Sequence, residues 1–143
     1  MQLNQATDYA FRLVLHLAGM PTGEIVNGQT ISDQQNIPPR FLLKIVRFLT
    51  QAGLVKSYRG VDGGFTLARK PEEITLADVI IAMEGPISIH KCLADKDSCS
   101  KQCAKVCPVH AALAGIQSEL EASLSKVSFA QLANKTKIGG EKT

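Results

Sequence analysis

Cys92, Cys99, Cys103 and Cys107 lie within the sixteen-residue run CLADKDSCSKQCAKVC, and no other residue of the 143 is a cysteine. Cysteine used as a small core hydrophobe is scattered among apolar neighbours. These four stand instead among Lys, Asp, Ser and Gln, a loop composition. A thiol-dense polar loop binds a metal or cluster, or forms disulfides. No apolar run approaches the ~20 residues that cross a bilayer. The apolar stretch 13–20 follows Asp8 and Arg12, without the basic start or cleavage site of a signal peptide. A cytoplasmic chain is therefore expected, with no membrane partner, and there thiols stay reduced and metal binding outranks disulfides.

The spacing of the four is C-x6-C-x3-C-x3-C. Thiolates ligate both iron–sulfur clusters and structural zinc. Zinc sites pair their cysteines in two separate knuckles, and a radical-SAM loop needs CxxxCxxC; the run has neither layout. Lys96, Lys101 and Lys105 supply the positive surroundings that favour a reactive thiolate. An iron–sulfur cluster ranks first, zinc second and a bare thiol switch third.

The elements that must position this loop can be read from periodicity. Ala6, Tyr9, Ala10, Leu13 and Leu17 share one face of a helix over 5–19, with Asp8 and Arg12 four apart on the exposed side. His16, between Leu15 and Leu17, reads as a hydrogen-bonded structural histidine, and His90 as a loop residue that is uninformative. A turn-rich connection over 21–28 leads to a short second helix starting at Thr30, where Thr30 and Asp33 have capping-box spacing. Pro38 and Pro39 end it, and Pro39 can start a third helix over 39–52. Leu42, Ile45, Val46 and Leu49 form the buried stripe of that helix, with Arg40, Lys44, Arg47 and Gln51 opposite and Gly53 at its C-terminus.

Two short strands, 54–58 and 65–68, flank the glycine-rich tip Arg59-Gly60-Val61-Asp62-Gly63-Gly64. Thr75 with Asp78 caps a fourth helix striped by Leu76, Val79, Ile80 and Met83. Pro108 suits the first position of a long helix, whose Val109, Leu113, Ile116, Leu120 and Val127 form a near-heptad seam. Such a seam reads as a dimerisation helix. Ser128 with Gln131 caps a last short helix around 129–133, followed by a tail. The expected fold is mainly α with a small β-hairpin wing. A winged helix-turn-helix domain covers 1–84, the cysteine loop 85–107 and the dimer helix with the short terminal helix 108–134. A disordered tail covers 135–143.

Charge points the same way. Residues 40–70 carry seven cations (Arg40, Lys44, Arg47, Lys56, Arg59, Arg69, Lys70) against Asp62 alone, a local +6 in a chain whose net charge is +3. A single basic block in an otherwise acidic chain is a footprint for a polyanion. The third helix would read a major groove and Arg59 a minor groove, with glycines allowing close approach to phosphates. Walker-type and GxGxxG spacings are absent, and no nucleophile–base pair or paired carboxylates point to an enzyme. A cluster-dependent oxidoreductase and a winged adaptor for protein contacts remain lesser alternatives.

The opening MQLNQATDYAFRLVLHLA, the segment IPPRFLLKIVRFLTQAGLV, the wing SYRGVDGGFTLAR, the stretch ITLADVIIAMEG, the cysteine loop and CPVHAALAGI appear in this order. Together they resemble the Rrf-two family of winged-helix regulators (NsrR/IscR-like, iron–sulfur cluster-binding type) over residues 1 to about 134. The resemblance implies a homodimeric transcription regulator, expected to be a repressor, on a palindromic double-stranded promoter site. Arg40, Lys44, Arg47, Arg59 and Gly60 would contact the DNA. It also implies a cluster on three cysteines plus one further ligand, sensitive to nitric oxide, redox state or iron supply. A 4Fe-4S cluster is favoured over 2Fe-2S, with zinc the alternative. Cys92, Cys99 and Cys107 match the family positions, and Cys103 is extra. For the fourth place Cys103, Asp8 (from the partner's first helix) and His110 all compete.

Overall fold

The computed structural model describes residues 2–102 and 105–138, the last two by backbone alone. Its elements in order are α1 (Gln5–Ala18), α2 (Gly28–Gln35), α3 (Pro39–Gln51), β1 (Val55–Tyr58), β2 (Gly64–Leu67), α4 (Leu76–Glu84), α5 (Lys91–Ala94), α6 (Pro108–Lys126) and α7 (Phe129–Ile138). Mainly helical, with one two-stranded antiparallel sheet, this is the expected winged helix-turn-helix.

Most of the helices start where a side chain can satisfy the first free N–H groups, and α3 and α6 open on a proline instead. Asn4 Oδ1 accepts the Thr7 N–H at 2.9 Å and so starts α1. For α2 the cap is Asn27, not Thr30: its side chain accepts from Gln29 and Thr30, and the helix begins at Gly28. An asparagine in extended conformation is as good a cap as threonine, and it lies three residues earlier than the capping-box spacing suggested. Pro38 and Pro39 open α3 as expected. At its other end Gly53 has φ +74°. The Gly53 N–H reaches Thr50 O at 3.0 Å and the Leu54 N–H reaches Leu49 O at 2.9 Å, a Schellman closure. Leu54, buried, then enters the wing. Thr75 and Asp78 form a complete capping box at α4. Ser128 and Gln131 exchange the same pair of bonds at α7.

The main core gathers α1 (Ala10, Leu13, Val14, Leu17), α3 (Leu42, Ile45, Val46, Leu49), Val55, Phe65, Val79 and Phe129. All four residues of the α3 stripe are buried, so its outward row is fixed in direction. The wing pairs Val55 with Leu67 through Tyr58 with Gly64. Val26 extends the sheet by exchanging two 2.9 Å bonds with Phe65. A Cβ on Gly64 would stand 2.2 Å from Val26 O, so this close approach requires glycine.

α6 attaches differently. None of its residues is buried, and Leu120 and Leu124 rest on a second, small cluster of Ala77, Ile80 and Ile87. Behind it the chain returns to the domain through Leu76 N–H to Val127 O at 3.0 Å and Phe129 N–H to Ile74 O at 2.9 Å. α7 runs to Ile138, four residues into the stretch expected as tail; 139–143 lie outside the described residues. No helix among the described residues is long and apolar enough to cross a membrane.

Candidate metal centre and nucleic-acid interface

The cysteine run is not a plain loop. His90 caps α5, a single helical turn, by accepting the Cys92 N–H on Nδ1 at 3.3 Å. The same Nδ1 lies 3.3 Å from Cys92 Sγ. His110, in the first turn of α6, brings its own Nδ1 to 3.2 Å from that sulfur. Because His90 Nδ1 already accepts a backbone N–H, His110 is the better placed of the two to donate to Cys92. Ser98 and Asp97 form a further turn on Asp95, which shapes the approach to Cys99.

Cys92, Cys99 and Cys107, all half-buried, line one cavity of about 340 Å³ together with His90, His110 and Leu113. Cys107 is the N-cap of α6, so the free N–H groups and positive end of a 19-residue helix adjoin the cavity. An anionic thiolate assembly is favoured at such an end. Three thiols and two imidazoles are the donor chemistry of iron–sulfur and zinc sites, so the residue types fit either group. Among the described residues no three His, Cys, Asp or Glu side chains already stand within metal-holding distance. The fold thus gathers the donors in one cavity without closing them on a common point.

Of the competing fourth donors, His110 is in this cavity. Cys103 lies outside the described residues. Asp8 is elsewhere, on α1, where it pairs with Arg12 at 2.8 Å. Arg12 also donates to Gln35 O at 3.2 Å and lies 5.2 Å over the Tyr9 ring, tying α1 to the end of α2. His90 was missed in the sequence. The available signal was its place two residues before Cys92, within reach of one helical turn.

His16 departs from its expected role. Its Nδ1 meets Gln35 Nε2 at 3.1 Å, but its buried Nε2 has no hydrogen-bond partner among the described residues. With the amide donating to Nδ1, the neutral ring keeps its proton on that orphaned nitrogen. Burial lowers the imidazole pKa below its ordinary value of 6.5.

The basic face is built from α3 and the wing. Arg40, Lys44 and Arg47 are exposed along one row, and Arg59 and Gly60 are exposed at the wing tip. Among the described residues none of these cations is in an ion pair, the one such pair being Arg12–Asp8. Gly60 has φ +105° and open space around it, whereas Gly63 is enclosed by the hairpin's own backbone and Gly64 by that of Val26 and Asn27. The glycine free to meet an outside group is therefore Gly60. A cleft of about 320 Å³ separates the start of α3 from the wing, lined by Leu43, Tyr58 and Gly63 among others.

Residues 3–135 match the family described as Rrf2, iron-dependent transcriptional regulator. The chain is 30% identical over 139 residues to the HTH-type transcriptional regulator YffB of Lactococcus lactis, covering 95% of this chain and 89% of that one. It is 34% identical over 92 residues to the regulator NsrR of Shouchella clausii (64% and 62% covered). With the Mycobacterium tuberculosis regulator Rv1287 the match is 38% over 88 residues, 62% of this chain and about half, 55%, of that one. CymR, the global cysteine regulator of B. subtilis, superposes with a TM-score of 0.75 at 28% identity, covering 95% and 98% of the two chains. IscR of T. potens shares the fold with a TM-score of 0.74 at 22% identity (95% and 88%). These relatives and neighbours are transcription regulators, not enzymes. The chain, with its winged helix-turn-helix and its cysteine cavity, belongs to the Rrf2 family of transcriptional regulators.

Proposed function

We propose that this chain is a cytoplasmic, homodimeric repressor that holds palindromic DNA with α3 and the wing and is switched at the cysteine cavity by an iron–sulfur cluster, 4Fe-4S ahead of 2Fe-2S. The observation that carries the reading is the gathering of Cys92, Cys99 and Cys107 with two imidazoles at the N-terminus of the helix expected to join the dimer. The family's description as iron-dependent supports it. Bound there, the cluster would supply a redox- and nitric-oxide-reactive centre. Cys92 and Cys99 would hold the α5 segment and Cys107 the start of α6, with His110, Cys103 or a partner's Asp8 in the remaining place. Arg40, Lys44 and Arg47 would enter the major groove, and Arg59 with Gly60 the minor groove. Because two reading heads must match half-sites about a helical turn apart, reordering residues 90–107 against α6 would change their spacing.

The experiment is anaerobic purification followed by a visible spectrum, iron, sulfide and zinc analysis, and promoter affinity before and after nitric oxide. A coloured protein with iron and sulfide, whose DNA affinity changes roughly tenfold or more on cluster loss, is expected. A colourless, metal-free protein, or DNA binding indifferent to cluster loss, overturns the proposal. Zinc is the second reading, because Cys92 is flanked by two histidine nitrogens and mixed sulfur–nitrogen sets are common zinc donors. A colourless protein with stoichiometric zinc would select it.

A further inference from the structure

α3 carries one residue that its charged face does not explain. Leu43 is 67% exposed, the most exposed apolar side chain of the helix. Isolated surface leucines are ordinary, so position must decide. Phe41, also exposed, has its ring 5.9 Å from that of Tyr9 and so belongs to an aromatic contact with α1. Leu43 instead faces the cleft between α3 and the wing, beside Tyr58 and Gly63. On a helix it lies within one turn of Arg40, Lys44 and Arg47, all on the outward side opposite the buried stripe Leu42, Ile45, Val46 and Leu49. An apolar group set among cations that bind phosphates meets the floor of a groove, not its walls.

In the major groove the apolar feature on that floor is the C5-methyl of thymine, which aliphatic side chains contact. We infer that Leu43 is a specificity-determining residue that reads the methyl of one thymine in each half-site. The surrounding cations supply affinity without sequence information, so the division of labour is physical. Arg40, Lys44 and Arg47 hold the helix on the phosphate backbone, and Leu43 selects an A·T pair by excluding water from the thymine methyl. The inference rests on the DNA-binding reading above.

The test uses the full-length protein and a palindromic site selected from a random duplex library. Each thymine of a half-site, with its symmetry mate, is replaced in turn by deoxyuridine, which removes the methyl and keeps the pairing. Wild type should lose about fourfold in affinity per methyl, the worth of one buried methyl, at one position only. Leu43→Ala should bind the parent site more weakly, keep its salt dependence, and show no loss at that position. Leu43→Gln, whose amide suits adenine, should move the preferred base there and keeps the test open if the alanine variant is unstable. The inference falls if wild type ignores every deoxyuridine, or if Leu43→Ala keeps the wild-type profile. Failure to select any DNA site would sink the DNA-binding reading itself, and is distinct from both.

Discussion

His16 is a single residue whose surroundings make a measurable demand on pH. Its ring is held by Gln35 on one nitrogen and orphaned on the other. Burial disfavours the charged form and lowers the folded-state pKa below 6.5. The unfolded chain therefore binds the proton more readily. The stability tied to a neutral His16 is fully present above the unfolded value and is lost as pH falls through 6.5 toward the folded one. Urea unfolding of wild type and His16→Leu between pH 7.5 and 5 should show a steeper loss of stability in wild type. Parallel curves would remove His16 from the account. The structural place of this half-buried residue, unlike the unmet hydrogen bond at Nε2, was legible from Leu15 and Leu17 beside it. Hydrogen-bond satisfaction depends on which side chains from α2 arrive opposite α1, and no spacing within one helix carries that. The same limit hid His90, whose capping of α5 exists only once the loop folds into a turn.

At the scale of the element, backbone geometry separates glycines that the sequence presents alike. Gly64 lets β2 pass against Val26, and an added Cβ would fall 2.2 Å from its carbonyl oxygen. Gly115, inside α6, meets nothing within 4 Å. Gly64→Ala should therefore cost about 1–3 kcal/mol and loosen the wing, whereas Gly115→Ala should stabilise by up to about 1 kcal/mol. Thermal denaturation of the two variants against wild type checks both signs. Thr75→Ala, which removes the side-chain acceptor of the α4 capping box, should cost about 1 kcal/mol; an unchanged melting temperature would mean that water replaces the cap. The helices with strong stripes, α1 and α3, were legible nearly to the residue, because a single buried face dictates period and length; α4 was legible from its capping box, but it buries Val79 in the main core and Ala77 and Ile80 in the second cluster. The weakly patterned α2 was misplaced at its start, since Asn27 outcompeted Thr30 as cap. The extension of α7 to Ile138 was hidden for the same reason: residues 134–138 carry little apolar signal.

The whole molecule turns on what covers α6. Nineteen residues long, it has no buried side chain, and Val109 and Ile116 are 64% and 55% exposed along its seam. Leu120 and Leu124 already rest on the cluster of Ala77, Ile80 and Ile87, and nearer the cysteine cavity Gln117 accepts the Ile89 N–H at 3.0 Å, yet the seam residues Val109 and Ile116 stay exposed. A second copy of α6 set against this stripe would bury both and would stand beside Cys107 and His110. Ile116→Glu places a charge in the middle of that seam without touching the main core, so the winged domain should keep its circular dichroism. Sedimentation should then shift from dimer to monomer at micromolar protein. Affinity for a palindromic site should fall roughly 100-fold or more, because the two half-sites no longer act together. On the cluster reading proposed above, iron content separates two arrangements of the donors. A monomer that retains its iron places all ligands in one chain, with His110 or Cys103 in the fourth position. A monomer that loses it points to a donor from the partner, such as Asp8, whose pair with Arg12 would have to open in the dimer. A variant that stays dimeric and binds DNA as tightly as wild type would show that the stripe on α6 is not the interface.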